Sequence, residues 1–267
     1  MSPETLFNSL WEQYIALNPA VAEIHQLFAE HEDQVINDHI ALRTFQHEKV
    51  GISKVAKVFE ELGYRRCGEY TFVEKKLSAV HLEHPEQPSL PKVFISELKL
   101  NECSEELQRI IQSEVINSID PDLANSAEFC FSGRSWDNIC YDTYEMLRQE
   151  SEYAAWMYVY GYMANHFTVK VNALSRFESL EDVNAFVESH GFQLNQVGGV
   201  IKGSPEQCLE QSSTIAEKRP VTFIEGNREI PSCFYEFARR YPTENGIEFS
   251  GFIEGNADKI FESTNMK

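Results

Sequence analysis

Several common signatures are missing from this chain, and each absence removes a class of function. No apolar run approaches the roughly eighteen residues that a membrane span needs, and no basic N-terminal region precedes an apolar one, so we expect a cytoplasmic protein. The patterns G-x-G-x-x-G, G-x-x-x-x-G-K-[ST], H-E-x-x-H and G-x-S-x-G are absent. Nicotinamide, nucleotide and serine-hydrolase functions therefore lose their usual support.

Positive charge is also scarce. The 267 residues include 23 Lys+Arg against 42 Asp+Glu, a formal net charge of −19 that would repel nucleic acids and anionic membranes. The six cysteines form no C-x-x-C pair, so we expect free thiols rather than a zinc, redox or disulfide framework. With 42% hydrophobic and 24% charged residues, the composition is that of an ordinary folded protein.

The chain does contain an order of elements that occurs twice. After two N-terminal helices broken at Pro19, strand-like and helical patterns follow in the order β-α-β-β-β, from "HIALRTF" to "KVFISELKL". The same order returns from "NHFTVKVN" through the helix "SLEDVNAFVESHGF", which opens with a capping box, to the strand-like runs "GGVIKGS", "STIAEKRPVTFIEGN" and "SCFYEFARRY". The stretch between the two copies is rich in helical and aromatic pattern, and its tyrosines are expected to pack in the core.

These patterns predict an α+β fold and a single compact domain over residues 1–267. The predicted segments are N-terminal helices over 1–36, a first β-α-β-β-β module over 37–100, a helical insertion over 101–163, and the second module with a C-terminal segment over 164–267.

Histidine and glutamate occupy equivalent places in the two copies. His39 opens the first strand of copy one and Glu97 lies in its last strand, while His166 and Glu236 take the corresponding places in copy two. Two imidazoles and one carboxylate form a set that binds Fe(II), Mn(II), Zn(II) or Ni(II), and its open coordination favours non-haem iron. We therefore predict His39, His166 and Glu236 as metal ligands, with Glu97 as a weaker candidate.

Strand alternation places basic residues on the same faces as these ligands. Arg43 shares a face with His39, Lys170 with His166 and Arg240 with Glu236, because side chains two and four residues apart point the same way. Four residues separate the Cα atoms of His39 and Arg43 by about 13 Å. Arginine can bind carboxylate groups in bidentate geometry, although a structural salt bridge is the competing interpretation for Arg43.

The doubled β-α-β-β-β order with ligands on first and last strands resembles the vicinal oxygen chelate superfamily. Within it, four motifs are similar to the 2-oxoadipate dioxygenase/decarboxylase family, and together they cover nearly the whole chain. The motifs are "DHIALRTF", "NHFTVKVN", "FYEFARR" and "GFIEGNADKIFEST". The resemblance implies two modules forming a curved mixed sheet around a metal site.

The resemblance also implies an activity and residue roles. Fe(II) would be held by His39, His166 and Glu236, and Arg43 would bind the substrate carboxylate, with Lys170 and Arg240 as further substrate-binding candidates. The enzyme would convert 2-oxoadipate to 2-hydroxyglutarate with O2 uptake and CO2 release, in lysine catabolism. Its partners would be a small 2-oxo acid and O2, with neither nucleic acid nor membrane.

Two alternatives stay open. A lyase, isomerase or hydrolase of the same superfamily would use Zn(II), Ni(II) or Mn(II) as a Lewis acid, with Glu97 as fourth ligand or general base. A non-catalytic binding protein would keep the ligand cavity without turnover. Oxygen consumption separates the first alternative from the dioxygenase.

Overall fold

The computed structural model describes residues 1–30, 32 and 34–264, so the last three residues of the predicted second module lie outside it. The chain folds as two compact units, each made of segments that are not consecutive in the sequence. The first comprises Met1–Tyr14, Ala41–Asn165 and Lys218–Ile230, and the second comprises Ile15–Ile40, His166–Glu217 and Pro231–Lys267. The single domain with four consecutive segments stays a prediction.

The described residues form eight α-helices and ten β-strands. The helices are α1 (Pro3–Leu17), α2 (Pro19–Ala29), α3 (Ile52–Glu60), α4 (Glu105–Ile110), α5 (Tyr141–Glu150), α6 (Glu152–Tyr160), α7 (Leu180–Ser189) and α8 (Glu254–Phe261). The strands are β1 (Asn37–Phe45), β2 (Arg65–Phe72), β3 (Leu77–Glu83), β4 (Lys92–Leu98), β5 (Ala164–Lys170), β6 (Lys202–Ser204), β7 (Leu209–Ser213), β8 (Lys218–Phe223), β9 (Gly226–Pro231) and β10 (Phe234–Arg240). No helix in the described part of the chain combines the length and apolar character that a bilayer crossing requires.

The first unit is built on antiparallel strands. Strands β2, β3 and β4 pair in that order, and the C-terminal part of β1 lies next to β4. Helix α3 packs on β3 and β4 because Val55, Ala56 and Phe59 fall on one side of it and are buried. The turn that follows α3 ends at Gly63, whose φ of +99° favours glycine.

The insertion between the modules is helical, as the pattern predicts, but it is divided. The aromatic stretch forms α5 and α6 rather than one helix, because Ser151 between them has an extended backbone and its side chain accepts from the Ala154 N–H as an N-cap. Tyr153, Tyr158 and Tyr160 of α6 are buried, in agreement with their expected packing role.

The second unit carries a mixed set of strands. Strand β10 runs parallel to β5 and antiparallel to β7, β6 follows β7, and the start of β1 lies next to β5. Helix α7 packs on β7 and β10, and it begins with the predicted capping box of Ser179 and Asp182. This arrangement puts β1, β5 and β10 side by side.

One predicted strand of the second module is corrected by the structure. The run "STIAEKRPVTFIEGN" contains β8 and the start of β9, which pair with each other as a separate hairpin within the first unit. Gly226, with a φ of +110°, provides the turn between the two strands. The additional strand next to β10 is β7, which lies earlier in the sequence than predicted.

Candidate metal centre

The structure brings together the three residues that the sequence predicts as ligands. His39, His166 and Glu236 are only 2%, 4% and 1% exposed, and one ligand atom from each lies within 4.8 Å of the others. The Nε2 atom of His166 is 3.1 Å from Oε2 of Glu236, and Nε2 of His39 is 3.6 Å from Oε1 of the same carboxylate. All three belong to the second unit.

The parallel pairing of β5 and β10 explains this convergence. His166 lies opposite Phe234 and Thr168 lies opposite Glu236, so alternation along each strand puts both ligand side chains on one face. His39 reaches the same place from the neighbouring strand β1, where its Nε2 is 3.1 Å from Oγ1 of Thr168. Two imidazoles and a carboxylate are a donor set that fits a catalytic divalent metal ion.

The charge state of the group also fits a cation. Burial raises the pKa of the Glu236 carboxyl, but the charges and hydrogen bonds of His39 and His166 outweigh it and hold the pKa well below its usual range. Burial lowers the pKa of the His39 imidazole, yet Glu236 and Asp38 bring a net rise. The buried Glu236 carboxylate therefore stays anionic, and its negative charge can attract a cation.

Asp38 and Arg240 support His39 from behind. Oδ1 of Asp38 is 2.8 Å from Nδ1 of His39, and since a carboxylate can only accept, Nδ1 carries a proton and Nε2 is the ring nitrogen that could bind a metal ion. Burial raises the pKa of Asp38, but the charge of Arg240 and the hydrogen bonds from His39 and Arg240 hold it well below its usual range.

Arg240, a predicted substrate-binding residue, contacts Asp38 in the structure. Its Nε and Nη2 donate to Asp38 at 2.7 and 2.8 Å, and its Nη1 donates to the carbonyls of Phe249 and Gly251. Lys170, the other predicted basic candidate of this unit, forms an ion pair with Glu248 at 2.6 Å and is partly exposed.

Aromatic rings fix the planes of both imidazoles. Phe252 meets the His39 ring edge to face at 4.8 Å, and Phe234 stacks on the His166 ring at 4.6 Å. Phe252 comes from the C-terminal motif "GFIEGN", which gives that motif a structural reason. These rings cover the imidazoles with apolar surface and limit their access to water.

The sequence did not indicate several of these supporting residues. Ideal strand alternation puts Asp38 on the face opposite His39, so the strand pattern gives no sign of their contact. Gln211 of β7 donates from Nε2 to Oε1 of Glu236 at 2.7 Å, and no motif marks it. Thr168 has only its parity with His166 to suggest a role.

Lys202 is a further buried cation of the second unit. It is 1% exposed, and its ammonium donates to the carbonyls of Asn195 and Val200. Burial lowers the pKa of Lys202 to about 8, although the negative charge of Glu236 opposes this.

We expect this shift to appear in the pH dependence of stability. Between about pH 8 and 10.5 the unfolded chain holds more protons at Lys202 than the folded one, so the free energy of unfolding rises with pH across this window. The full effect is on the order of 3 kcal/mol. Urea unfolding of the Lys202→Met variant should lose this rise, whereas the surface variant Lys170→Met should keep it. An unchanged pH profile in Lys202→Met would contradict the shift.

Arg43 and Glu97 belong to the first unit. Arg43 is buried, and its guanidinium carbon lies 4.9 Å from the ring centroids of both Tyr153 and Trp156. The carboxylate of Glu97 accepts from the N–H of Ile52 at 2.8 Å, at the start of α3. Glu97 is not a member of the group formed by His39, His166 and Glu236.

The cysteines are free thiols, and all six lie within the described residues. Cys67 is exposed, and the remaining five are buried or half-buried.

Comparison with known proteins places the chain among characterised relatives. The family model described as "2-oxoadipate dioxygenase/decarboxylase" matches residues 5–245. A crystal structure of the Oryza sativa hydroxyglutarate synthase in complex with 2-oxoadipate is 35% identical, covers 97% of this chain and 91% of its own, and has a TM-score of 0.89. A structure from Shewanella frigidimarina, provisionally described as a hydrolase, is 50% identical and has a TM-score of 0.90. The match covers 95% of this chain and 98% of the Shewanella chain.

A more distant structure bears on the fold alone. A protein of Ralstonia eutropha, provisionally described as a glyoxalase-superfamily member, is 20% identical, covers 94% of this chain and 85% of its own, and has a TM-score of 0.73. The predicted α+β class is confirmed.

Proposed function

Since the chain belongs to the 2-oxoadipate dioxygenase/decarboxylase family, we propose that it converts 2-oxoadipate and O2 to 2-hydroxyglutarate and CO2. The equation balances, because the six carbons of the substrate become five in the product and one in CO2, and both atoms of O2 are consumed. The observation that carries the proposal is the convergence of His39, His166 and Glu236 in a chain of this family.

We further propose Fe(II) as the metal, held by those three residues. Ferrous iron bound there would supply the redox chemistry that O2 activation needs. The contribution of the protein is to keep Glu236 ionised, to hold the Nε2 lone pair of His39 toward the site through Asp38, and to shield both imidazoles with Phe252 and Phe234. A cytoplasmic location and a role in lysine catabolism belong to the same proposal.

Arg43 is proposed to bind the carboxylate of the substrate that is remote from the reacting keto acid. It stands four residues after His39 on the same strand, and it is buried with its guanidinium over two aromatic rings. These rings restrict the side chain, so little conformational entropy is lost when it forms a bidentate contact. Lys170 forms an ion pair with Glu248, and Arg240 forms one with Asp38, so both stay weaker candidates for substrate binding.

The activity is tested by loading the protein with Fe(II) without oxygen and then measuring O2 uptake and CO2 release. We expect 2-oxoadipate to give both signals in a one-to-one ratio, and 2-oxohexanoate, which lacks the distal carboxylate, to give much weaker ones. Zn(II), Ni(II) and Mn(II) loading in parallel tests the Lewis-acid alternative, which the provisional description of the Shewanella frigidimarina structure as a hydrolase favours. Turnover with one of these metals and no O2 uptake with any 2-oxo acid would refute the dioxygenase.

The Arg43→Lys variant should bind 2-oxoadipate more weakly. Loss of a bidentate, charge-assisted contact costs about 1.5 to 3 kcal/mol, which corresponds to a KM roughly 10- to 100-fold higher. KM for 2-oxohexanoate should change little. Arg176→Lys is a matched control, because Arg176 also lies over two aromatic rings but is exposed. An equal loss with both substrates would argue for a structural role of Arg43.

A further inference from the structure

Gln211 lies at the centre of β7, on the face that carries the metal ligands. It stands opposite Ala238 of β10, which is two residues from Glu236 and therefore shares its face. The side chain of Ala238 is small, so the amide of Gln211 can reach the ligand carboxylate. Gln211 is 2% exposed, and its Nε2 donates to Oε1 of Glu236 at 2.7 Å.

This contact fixes the polarity of the amide. Glu236 is anionic and can only accept, so the NH2 group of Gln211 must face it, and the opposite orientation would put two oxygens together. The amide oxygen of Gln211 therefore points elsewhere. It is buried, and among the described residues none donates to it. A buried acceptor left without a donor costs about 1 to 3 kcal/mol, so such a position calls for a donor from a bound molecule.

We propose that Gln211 is a positioning and specificity residue, which holds Glu236 through one end of its amide and accepts a hydrogen bond from an O–H group in the metal site through the other. The proposal rests on the proposed function. The substrate 2-oxoadipate has no O–H group when ionised, whereas a water molecule at the metal and the 2-hydroxyl of 2-hydroxyglutarate both offer one. Gln211 thus favours the resting site and the product-bound site over the substrate-bound one.

The contact with Glu236 has a second effect. The N–H of Gln211 uses one acceptor position of Oε1 of Glu236, whereas Oε2 of Glu236 is the oxygen near His166. The two oxygens of Glu236 would therefore differ in their capacity to hold a metal ion. Lys202 faces Gln211 across β6 and β7, but its ammonium donates to the carbonyls of Asn195 and Val200.

The test replaces Gln211 with methionine, which is similar in length and removes both the donor and the acceptor. Mn(II) affinity, measured without turnover, should fall roughly 10- to 100-fold, as is typical when a residue supporting a ligand is lost. Gln211→Glu should have the larger effect, because it puts a second carboxylate against Glu236. Ser212→Ala is the matched control, since Ser212 is a buried polar residue of the same strand that instead donates to Asn184.

Two further measurements identify the source of the O–H group. If the product hydroxyl is the donor, Gln211→Met should weaken binding of 2-hydroxyglutarate about 10-fold more than binding of 2-oxoadipate, the value of one hydrogen bond. If water is the donor, the Mn(II) electron paramagnetic resonance signal in 17O-enriched water should lose broadening in the variant while the two affinities change in parallel. Unchanged Mn(II) affinity in Gln211→Met would overturn the proposal. So would a lowered Mn(II) affinity with neither a selective loss of 2-hydroxyglutarate binding nor a loss of 17O broadening.

Failure of this proposal can be told apart from failure of the proposed function. The Mn(II) and 17O measurements need no turnover, so they report on Gln211 even if 2-oxoadipate is not consumed. A wild-type protein that consumes 2-oxoadipate, together with a Gln211→Met variant that matches it in every binding measurement, would refute the role of Gln211 alone.

Discussion

Replacing Glu236 with glutamine is expected to abolish stable metal binding and to lower the turnover of 2-oxoadipate by about three orders of magnitude. Glutamine keeps the shape of the side chain but removes its charge, and the carboxylate is the one anionic member of the group with His39 and His166. A bound metal contributes several kcal/mol to catalysis, and about 4 kcal/mol corresponds to a thousandfold in rate. Metal content after Fe(II) loading and dialysis, together with O2 uptake, measures both effects.

The control for this variant is another buried glutamate of the second unit. Glu210 on β7 accepts a hydrogen bond from the Tyr241 hydroxyl and is not a member of the metal group, so Glu210→Gln should retain full metal content. Near-ultraviolet circular dichroism of both variants separates loss of metal from loss of fold. A Glu236→Gln protein that still holds one metal ion per chain would refute the proposed ligand set.

The Asp38→Asn variant should suffer the largest loss of stability. The carboxylate of Asp38 is the partner of Arg240, whose side chain is fully buried, and removal of one member of a buried ion pair costs about 3 to 5 kcal/mol. At about 2 to 4 °C per kcal/mol for a chain of this size, Tm should fall by roughly 10 °C. Metal affinity should also fall by about 10- to 100-fold, because His39 loses the group that orients it.

A double-mutant cycle shows whether the loss comes from the uncompensated arginine. In Asp38→Asn with Arg240→Met, the buried charge is removed along with its partner, so Tm should recover a large part of the difference. Metal affinity should stay low, since His39 still lacks its carboxylate. Recovery of both quantities would show that Asp38 acts only through Arg240. If the double variant instead lost as much stability as the two single variants together, the ion pair between Asp38 and Arg240 would be contradicted.

The convergence of the three proposed ligands could be predicted because it depends largely on local features. His39, His166 and Glu236 each stand near the start of a strand, so element order and strand alternation indicated that their side chains could converge. The predicted family is confirmed, and it supplies the reaction. The capping box of Ser179 and Asp182 was also predictable, because it is a contact between residues three positions apart.

The supporting residues could not be predicted because they depend on tertiary contacts. Ideal alternation turns Asp38 away from His39, yet the two side chains meet, and that contact depends on Arg240 some 200 residues later in the chain. Gln211 contacts Glu236 only because β7 pairs with β10, and the sequence does not indicate that pairing. The hairpin of β8 and β9 was missed because its turn at Gly226 falls inside a run that has the composition of one strand.

The parallel pairing of β5 with β10 has a consequence for how the protein is made. The metal group needs His39 from β1 and Glu236 from β10, which are separated by most of the chain, so it cannot form until the last strand has been synthesised and has paired. Non-local pairing of this kind forms late and slowly in folding. A cation that binds only the completed metal group would stabilise the folded chain by about 2.7 kcal/mol at a concentration one hundred times its Kd. It would thereby lower the population of partly folded chains.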